Sequence, residues 1–212
     1  MTKAVLEAES ESAAEHATAV VPSTTLAVPA SLHASLMARL DRLGSAREVA
    51  QVGAAIGREF SHALLAAVER KPEAELASAL DRLIAAGLIF REGVSPYATY
   101  LFKHALVQDA AYGTLLRSRR QELHSRIATT LEEQFAEIAE MQPELLAKHY
   151  AEAGLDDKAL EYWRTAGEQA VRRASNREAI GHFRQALALN EKQAPSIGRS
   201  LTELAILTQL GP

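Results

Sequence analysis

The sequence predicts a mainly α protein in which helices and a small two-stranded β-wing precede a stack of paired helices. Three observations predict it. Residues 157–166 and 177–186 read as one helix written twice, pairing Ala159 with Ala179, Leu160 with Ile180, Trp163 with Phe183, Arg164 with Arg184 and Ala166 with Ala186. A repeat of about twenty residues fits one helix plus its turn, the unit of a helical solenoid. Helical spacing dominates elsewhere, interrupted by period-two patterning only near residues 88–103. Finally, Gly (11) and Pro (7) are sparse while Ala and Leu dominate an apolar fraction of 48 %, the profile of a helical chain with enough apolar surface for a real core.

Taken in order, residues 1–28 read as the tail of an upstream domain followed by a flexible linker. It is acidic at its start through Glu7, Glu9, Glu11 and Glu15, and if flexible it spans about 25 Å. Pro29 then opens a helix with Leu32, Leu36, Leu40 and Leu43 at helical spacing, stopped by Gly44. Ser45 is expected to cap a second helix through Val49, Val52 and Ile56 that ends at Gly57. A short third helix covers residues 61–68. Pro72 restarts the chain into a fourth, striped by Leu76, Leu80, Leu83 and Ile84 and ending at Gly87.

Residues 88–91 and 99–103 then read as two strands joined by a turn holding Gly93 and Pro96. Helices, a two-stranded wing and a further helix follow the order of a winged helix-turn-helix, assigned to residues 29–116. From residue 117 to 212 the pattern is helical throughout. Leu116, Leu123, Ile127, Leu131, Phe135 and Ile138 stripe one long or slightly broken helix. Pro143 starts the next and Gly154 ends it. Trp163, Gly167, Ala179, Phe183 and Ala186 then give W-x3-G-x11-A-x3-F-x2-A, the spacing of a tetratricopeptide repeat. Gly and Ala stand where two helices approach closely, and Trp and Phe fill the groove beside them; Ala170 stands where the pattern expects Tyr. Pro195 and Ser196 introduce a last apolar stretch through Leu201, Leu204, Ile206, Leu207 and Leu210. That stretch lacks the polar cap a solenoid needs, so the chain is expected to be a piece of a longer protein, open at both ends.

Composition excludes several function classes. The net charge is −4, with 23 basic against 27 acidic residues, which argues against a general binder of nucleic acid or anionic membranes. Cys is absent, so disulfide frameworks and thiolate metal sites are excluded and a reducing, cytoplasmic setting is compatible. No apolar run approaches the roughly 18–20 residues of a bilayer span. Nor does the N-terminus carry the basic flank and apolar core of a secretory signal.

Motifs for catalysis are missing too. The chain has no phosphate loop, no H-E-x-x-H or comparable metal spacing and no G-x-S-x-G elbow. The helix before the wing would be the recognition helix of a DNA-binding protein, yet Glu73, Glu75 and Asp81 outweigh Arg82 there. Such a face repels a duplex. Arg117, Arg119, Arg120 and Arg126 form the one basic cluster, with Arg117, Arg120 and His124 on one side of a helix and Arg119 and Arg126 pointing away. A divided set of this kind reads as solvated surface. His104 stands where the second wing strand passes into a helix, near the helix start, with Phe102, Leu106, Ala110 and Tyr112 packing the core.

From Val28 to about Leu189 the chain resembles the region after the ATPase module in bacterial STAND-type signalling ATPases, above all the large proteins that join a class III adenylate/guanylate cyclase, an ATPase and tetratricopeptide repeats. The likeness rests on Val28-Pro29-Ala30-Ser31-Leu32, Leu40-Asp41-Arg42-Leu43, Ala54-Ala55-Ile56-Gly57-Arg58-Glu59-Phe60 and residues 80–88. It continues in residues 102–112 and in Leu146-Ala147-Lys148-His149-Tyr150 with Ala153-Gly154. The resemblance implies an upstream nucleotide-binding domain that holds ATP or ADP, with no cofactor in this chain itself. It also implies a nucleotide-phosphate contact for His104. Related plant and animal proteins often have Asp beside that His, where this chain has Ala105, so packing is the preferred role.

The expected function is therefore a non-catalytic regulatory and protein-interaction segment that couples nucleotide state to a repeat-based sensor. Its partners would be the upstream domain and a protein held by the repeat helices, with no nucleic acid and no membrane. The alternative is a winged-helix transcriptional regulator that touches DNA.

Overall fold

The structure, a computed structural model, describes residues 30–192 and 197–210. The expected linker over 1–28, Pro29, Pro195 and Ser196 lie outside the described residues. The chain is mainly helical, with eleven helices and one three-stranded antiparallel sheet among the described residues.

Helix α1 (Ala30–Asp41) carries Leu36 and Leu40 into the core, and the chain turns at Gly44 with φ +54 before α2 (Ser45–Ile56). Ser45 does not cap α2. Gly44 holds the cap position and no side chain bonds the first turn, because Ser45 already lies inside the helix. Val49, Val52 and a run of Ala make α2 the hub of this half, packed on α4 (Glu73–Ala85) and α5 (Ala105–Gly113). Gly53 on α2 is required by contact: a Cβ there would lie 2.7 Å from the Phe60 ring.

The sheet has three strands where the pattern predicts two. Between α2 and α3 (His62–Glu69), residues Glu59–Ser61 form β1, which pairs with β3 (Thr99–Phe102); β2 (Ile89–Glu92) pairs with the other edge of β3. Strand β1 comprises three residues and shows no periodicity of its own. Its partner is supplied by chain some forty residues later, so pairing creates it. Phe60, Tyr100 and Phe102 are buried together, with ring centroids 5.7 Å apart for both Phe60–Tyr100 and Phe60–Phe102. Ser61 caps α3 by accepting the Leu64 N–H at 3.2 Å, the usual role of Ser at that position.

The stripe expected from 116 to 138 takes the broken of the two forms expected. Helix α6 (Arg117–Gln134) ends where Phe135 leaves helical backbone, and α7 (Ala136–Met141) follows. Leu123, Ile127 and Leu131 are buried, but Leu116 precedes the helix and is exposed. Helix α8 (Pro143–Ala153) starts on its proline and ends at Gly154 in the left-handed region (φ +76).

Helices α9 (Asp156–Arg172) and α10 (Asn176–Lys192) form a hairpin turned by Ala174 at φ +56, where the Ala174 and Ser175 N–H groups donate to Val171 and Ala170 carbonyls at 2.9 Å. This closure satisfies carbonyls at the end of α9. Of the five aligned pairs of the repeat, one differs in burial: Leu160 is buried, while Ile180 is exposed. Helix α11 (Ile197–Leu210) packs on α10 through Ile206 and leaves Leu201, Leu204 and Leu207 exposed. One continuous cluster of buried residues runs from Leu36 to Ile206. It crosses between the sheet-bearing half and the helical stack where α6 packs on α2, α3 and α8.

Candidate functional site

Helices α6, α8, α9 and α10 lie side by side and leave an open groove of about 1,080 Å³. Its floor is built by the hairpin. Gly167 on α9 faces Phe183 on α10 so closely that a Cβ would sit 2.5 Å from the ring. Phe183 and Ala186 are fully buried, and Ala179 and Ala166 nearly so. Trp163 is turned towards the groove wall, where its indole stacks on His182 with centroids 5.4 Å apart and an interplanar angle of 25°. Burial lowers the His182 pKa below its ordinary value, which keeps the stacked imidazole neutral near pH 7.

The groove's charge differs in sign from that of the chain. Arg117, Arg120, Lys148 and Lys192 line it, against Glu152 and Asp156. Lys192 lies 3.9 Å from Asp156. Arg120 is fixed: its Nε donates to the Leu115 carbonyl at 3.0 Å and its guanidinium lies 4.6 Å above the Tyr112 ring. The basic residues of α6 are thus not a uniform solvated surface. Arg117 and Arg120 enter the groove, Arg119 pairs with Glu122 at 2.6 Å, and Arg126 is half-buried.

Two polar clusters, one partly exposed and one buried, join the helices of this stack. Glu132 of α6 accepts hydrogen bonds from Tyr150 of α8 and from Tyr162 (2.8 Å) and Lys158 (3.0 Å) of α9. Burial alone would raise the Glu132 pKa, but the bonds from Tyr150, Lys158 and Tyr162 outweigh it and hold the carboxyl below its usual range. In the second cluster, Tyr112 of α5 lies 2.9 Å from His124 Nε2, and His124 Nδ1 lies 2.8 Å from His149 Nδ1 on α8. Burial, then the neighbouring His124, pushes the His149 pKa down to about 3. His124 and His149 are 25 positions apart on separate helices, and no local signal joins them.

Of the residues singled out in the sequence, Trp163, Gly167, Ala179, Phe183 and Ala186 come together in the hairpin. His104 does not join them. It is exposed at the start of α5, in extended backbone with no side-chain capping bond. The packing role expected for it fails because its side chain faces outward while Val107, Ala110 and Ala111 carry the helix into the core.

Helix α4 presents Glu73, Glu75 and Asp81 outward. Its Arg82 is drawn back to the Leu43 carbonyl, and Asp81 lies 3.7 Å from Arg91 of β2. Among the described residues no group of three or more His, Asp or Glu is placed to hold a metal ion, and no helix is long and apolar enough to cross a membrane.

No family model and no solved structure matches this chain. It is similar to a protein of Rhizobium meliloti (strain 1021) described only as uncharacterized, with 34 % identity over 178 residues. The matched region takes in 84 % of this chain and 17 % of that protein, so the chain corresponds to about a sixth of its relative's length.

Proposed function

We propose that this chain is a non-catalytic coupling and protein-interaction segment of a larger STAND-type signalling ATPase or nucleotide cyclase. In this reading residues 29–116 are a winged-helix unit, 117–212 are tetratricopeptide-like repeats, and nucleotide state upstream is passed through α6 to a partner held in the groove. One observation carries it: the open groove across α6, α8, α9 and α10, walled by Trp163 and His182 and lined by more basic than acidic residues in an acidic chain. An aromatic wall supplies apolar area and the flanking Arg and Lys supply register, the combination that recognises an extended acidic segment of another protein. The reading places the segment in cytoplasm and assigns it no cofactor of its own.

The groove is tested by placing a photo-crosslinking residue at Gln185, which lines it, in the protein expressed in its own host. The expected result is a discrete crosslinked protein that is lost with Lys148→Glu and Arg117→Glu together. Crosslinking unaffected by those charge reversals overturns the groove reading. A purified chain that hydrolyses ATP or forms a cyclic nucleotide at a sustained rate overturns the non-catalytic one. The DNA-binding alternative is disfavoured by the acidic outer face of α4 and the tethered Arg82, since phosphate neutralisation supplies most non-specific affinity.

A further inference from the structure

A second cleft, of about 390 Å³, lies where the sheet-bearing half meets the helical stack. Ile56, Phe60 and Leu64 contribute apolar walls from α2, β1 and α3; Leu131, Ile138 and Leu145 contribute them from α6, α7 and α8. Its volume falls within the roughly 300–1,000 Å³ of small-molecule sites, which join apolar walls to a few fixed polar atoms. The fixed polar group here is His149, which lines the cleft while only 5 % exposed.

The neighbouring hydrogen bonds decide what His149 offers. Its Nδ1 is committed to His124 Nδ1 at 2.8 Å, and no group of the described residues bonds its Nε2. Burial keeps both rings neutral near pH 7, so each carries one proton. The Tyr112 hydroxyl, whose pKa burial raises, has His124 Nε2 as its one hydrogen-bond partner among the described residues, which assigns the phenol O–H as the donor and the more basic ring nitrogen as the acceptor. His124 must then carry its proton on Nδ1 and donate it to His149 Nδ1. The remaining proton of His149 is therefore on Nε2, on the side of the ring away from His124.

We propose that this cleft binds a small, uncharged, largely apolar molecule bearing one carbonyl oxygen, which accepts the His149 Nε2–H. An anion is disfavoured because the ring is neutral and Glu59 is the one charged residue on the lining. A cation would lose its hydration against apolar walls. The three side chains share their protons in sequence from His149 to Tyr112, on which Arg120 of the groove stacks.

The test is ring-nitrogen NMR of the full chain labelled with ¹⁵N-histidine, titrated at neutral pH with acetophenone and, separately, with ethylbenzene. Acetophenone is expected to shift the His149 Nε2 signal saturably and to bind about tenfold more tightly than ethylbenzene, the gain of one well-placed hydrogen bond. Leu145→Trp, which fills the cleft, is expected to abolish that shift while the His124–His149 pattern persists. Absence of a saturable shift with acetophenone, equal affinity for ethylbenzene, or an undiminished shift in Leu145→Trp overturns the proposal. Should the Trp variant not fold, the comparison of the two ligands on the unaltered chain decides alone.

Discussion

Gly167 shows how one missing methyl group sets the geometry of a helix pair. Its hydrogen lets the Phe183 ring lie flat against α9, and a Cβ would come within 2.5 Å of ring carbons that are fully buried and have nowhere to retreat. Gly167→Ala is expected to cost about 1–3 kcal/mol, the range for overpacking a well-filled core. Gly181→Ala on the next helix is the control. No atom lies within 4 Å of its Cβ position, so it is expected to gain up to about 1 kcal/mol through helix propensity. Urea unfolding of both variants checks the pair, and equal effects would contradict it. These residues were legible in the sequence because small and large side chains at fixed helical spacing are a local signal. His104 was not: exposure is decided by how α5 rotates onto its neighbours, which no single position records.

At the scale of elements, α6 acts as the post on which the stack is mounted, and Glu132 is its principal fastening. One carboxylate receives two phenols and an ammonium from α8 and α9. Replacing Glu132 by Leu removes the acceptor of the buried Tyr150 hydroxyl and is expected to cost about 1–3 kcal/mol, the exposed pair with Lys158 adding little. Glu132→Gln keeps two acceptable bonds and is expected to lose about half as much. Thermal unfolding of the two variants checks the order, and hydrogen exchange in α8 and α9 should rise more in the Leu variant. The helices themselves were readable from apolar spacing, proline starts and glycine stops. Strand β1 was not, since three residues gain strand geometry only by pairing with β3; a break in the helix after residue 116 was foreseen but not its place at Phe135, since Phe135 and Ile138 continue the same apolar stripe.

For the molecule as a whole, the continuous core makes the two halves one cooperative unit, and the buried imidazoles make its stability depend on pH. His149 is neutral in the folded chain down to about pH 3, whereas the same side chain in the unfolded chain takes up a proton near pH 6.5. The unfolded state therefore binds more protons between those values, so stability is complete above about pH 6.5 and falls as the pH drops towards 3. One such site contributes a slope of up to about 1.4 kcal/mol per pH unit. Urea midpoints measured between pH 7 and 4 should fall accordingly, and His149→Gln should flatten the slope. The mainly helical class and the order of helices, sheet and helices were legible along the chain. The buried tyrosine–histidine cluster that joins the halves was not, because it exists only once α5, α6 and α8 are packed together.

The chain contains a single tryptophan, Trp163, and it stands in the wall of the larger groove with an imidazole stacked on it. Its emission is therefore a native optical probe of that surface, responsive to the adjoining ring. A guest that parts the indole from His182 announces itself in the colour and brightness of one residue, with no dye attached.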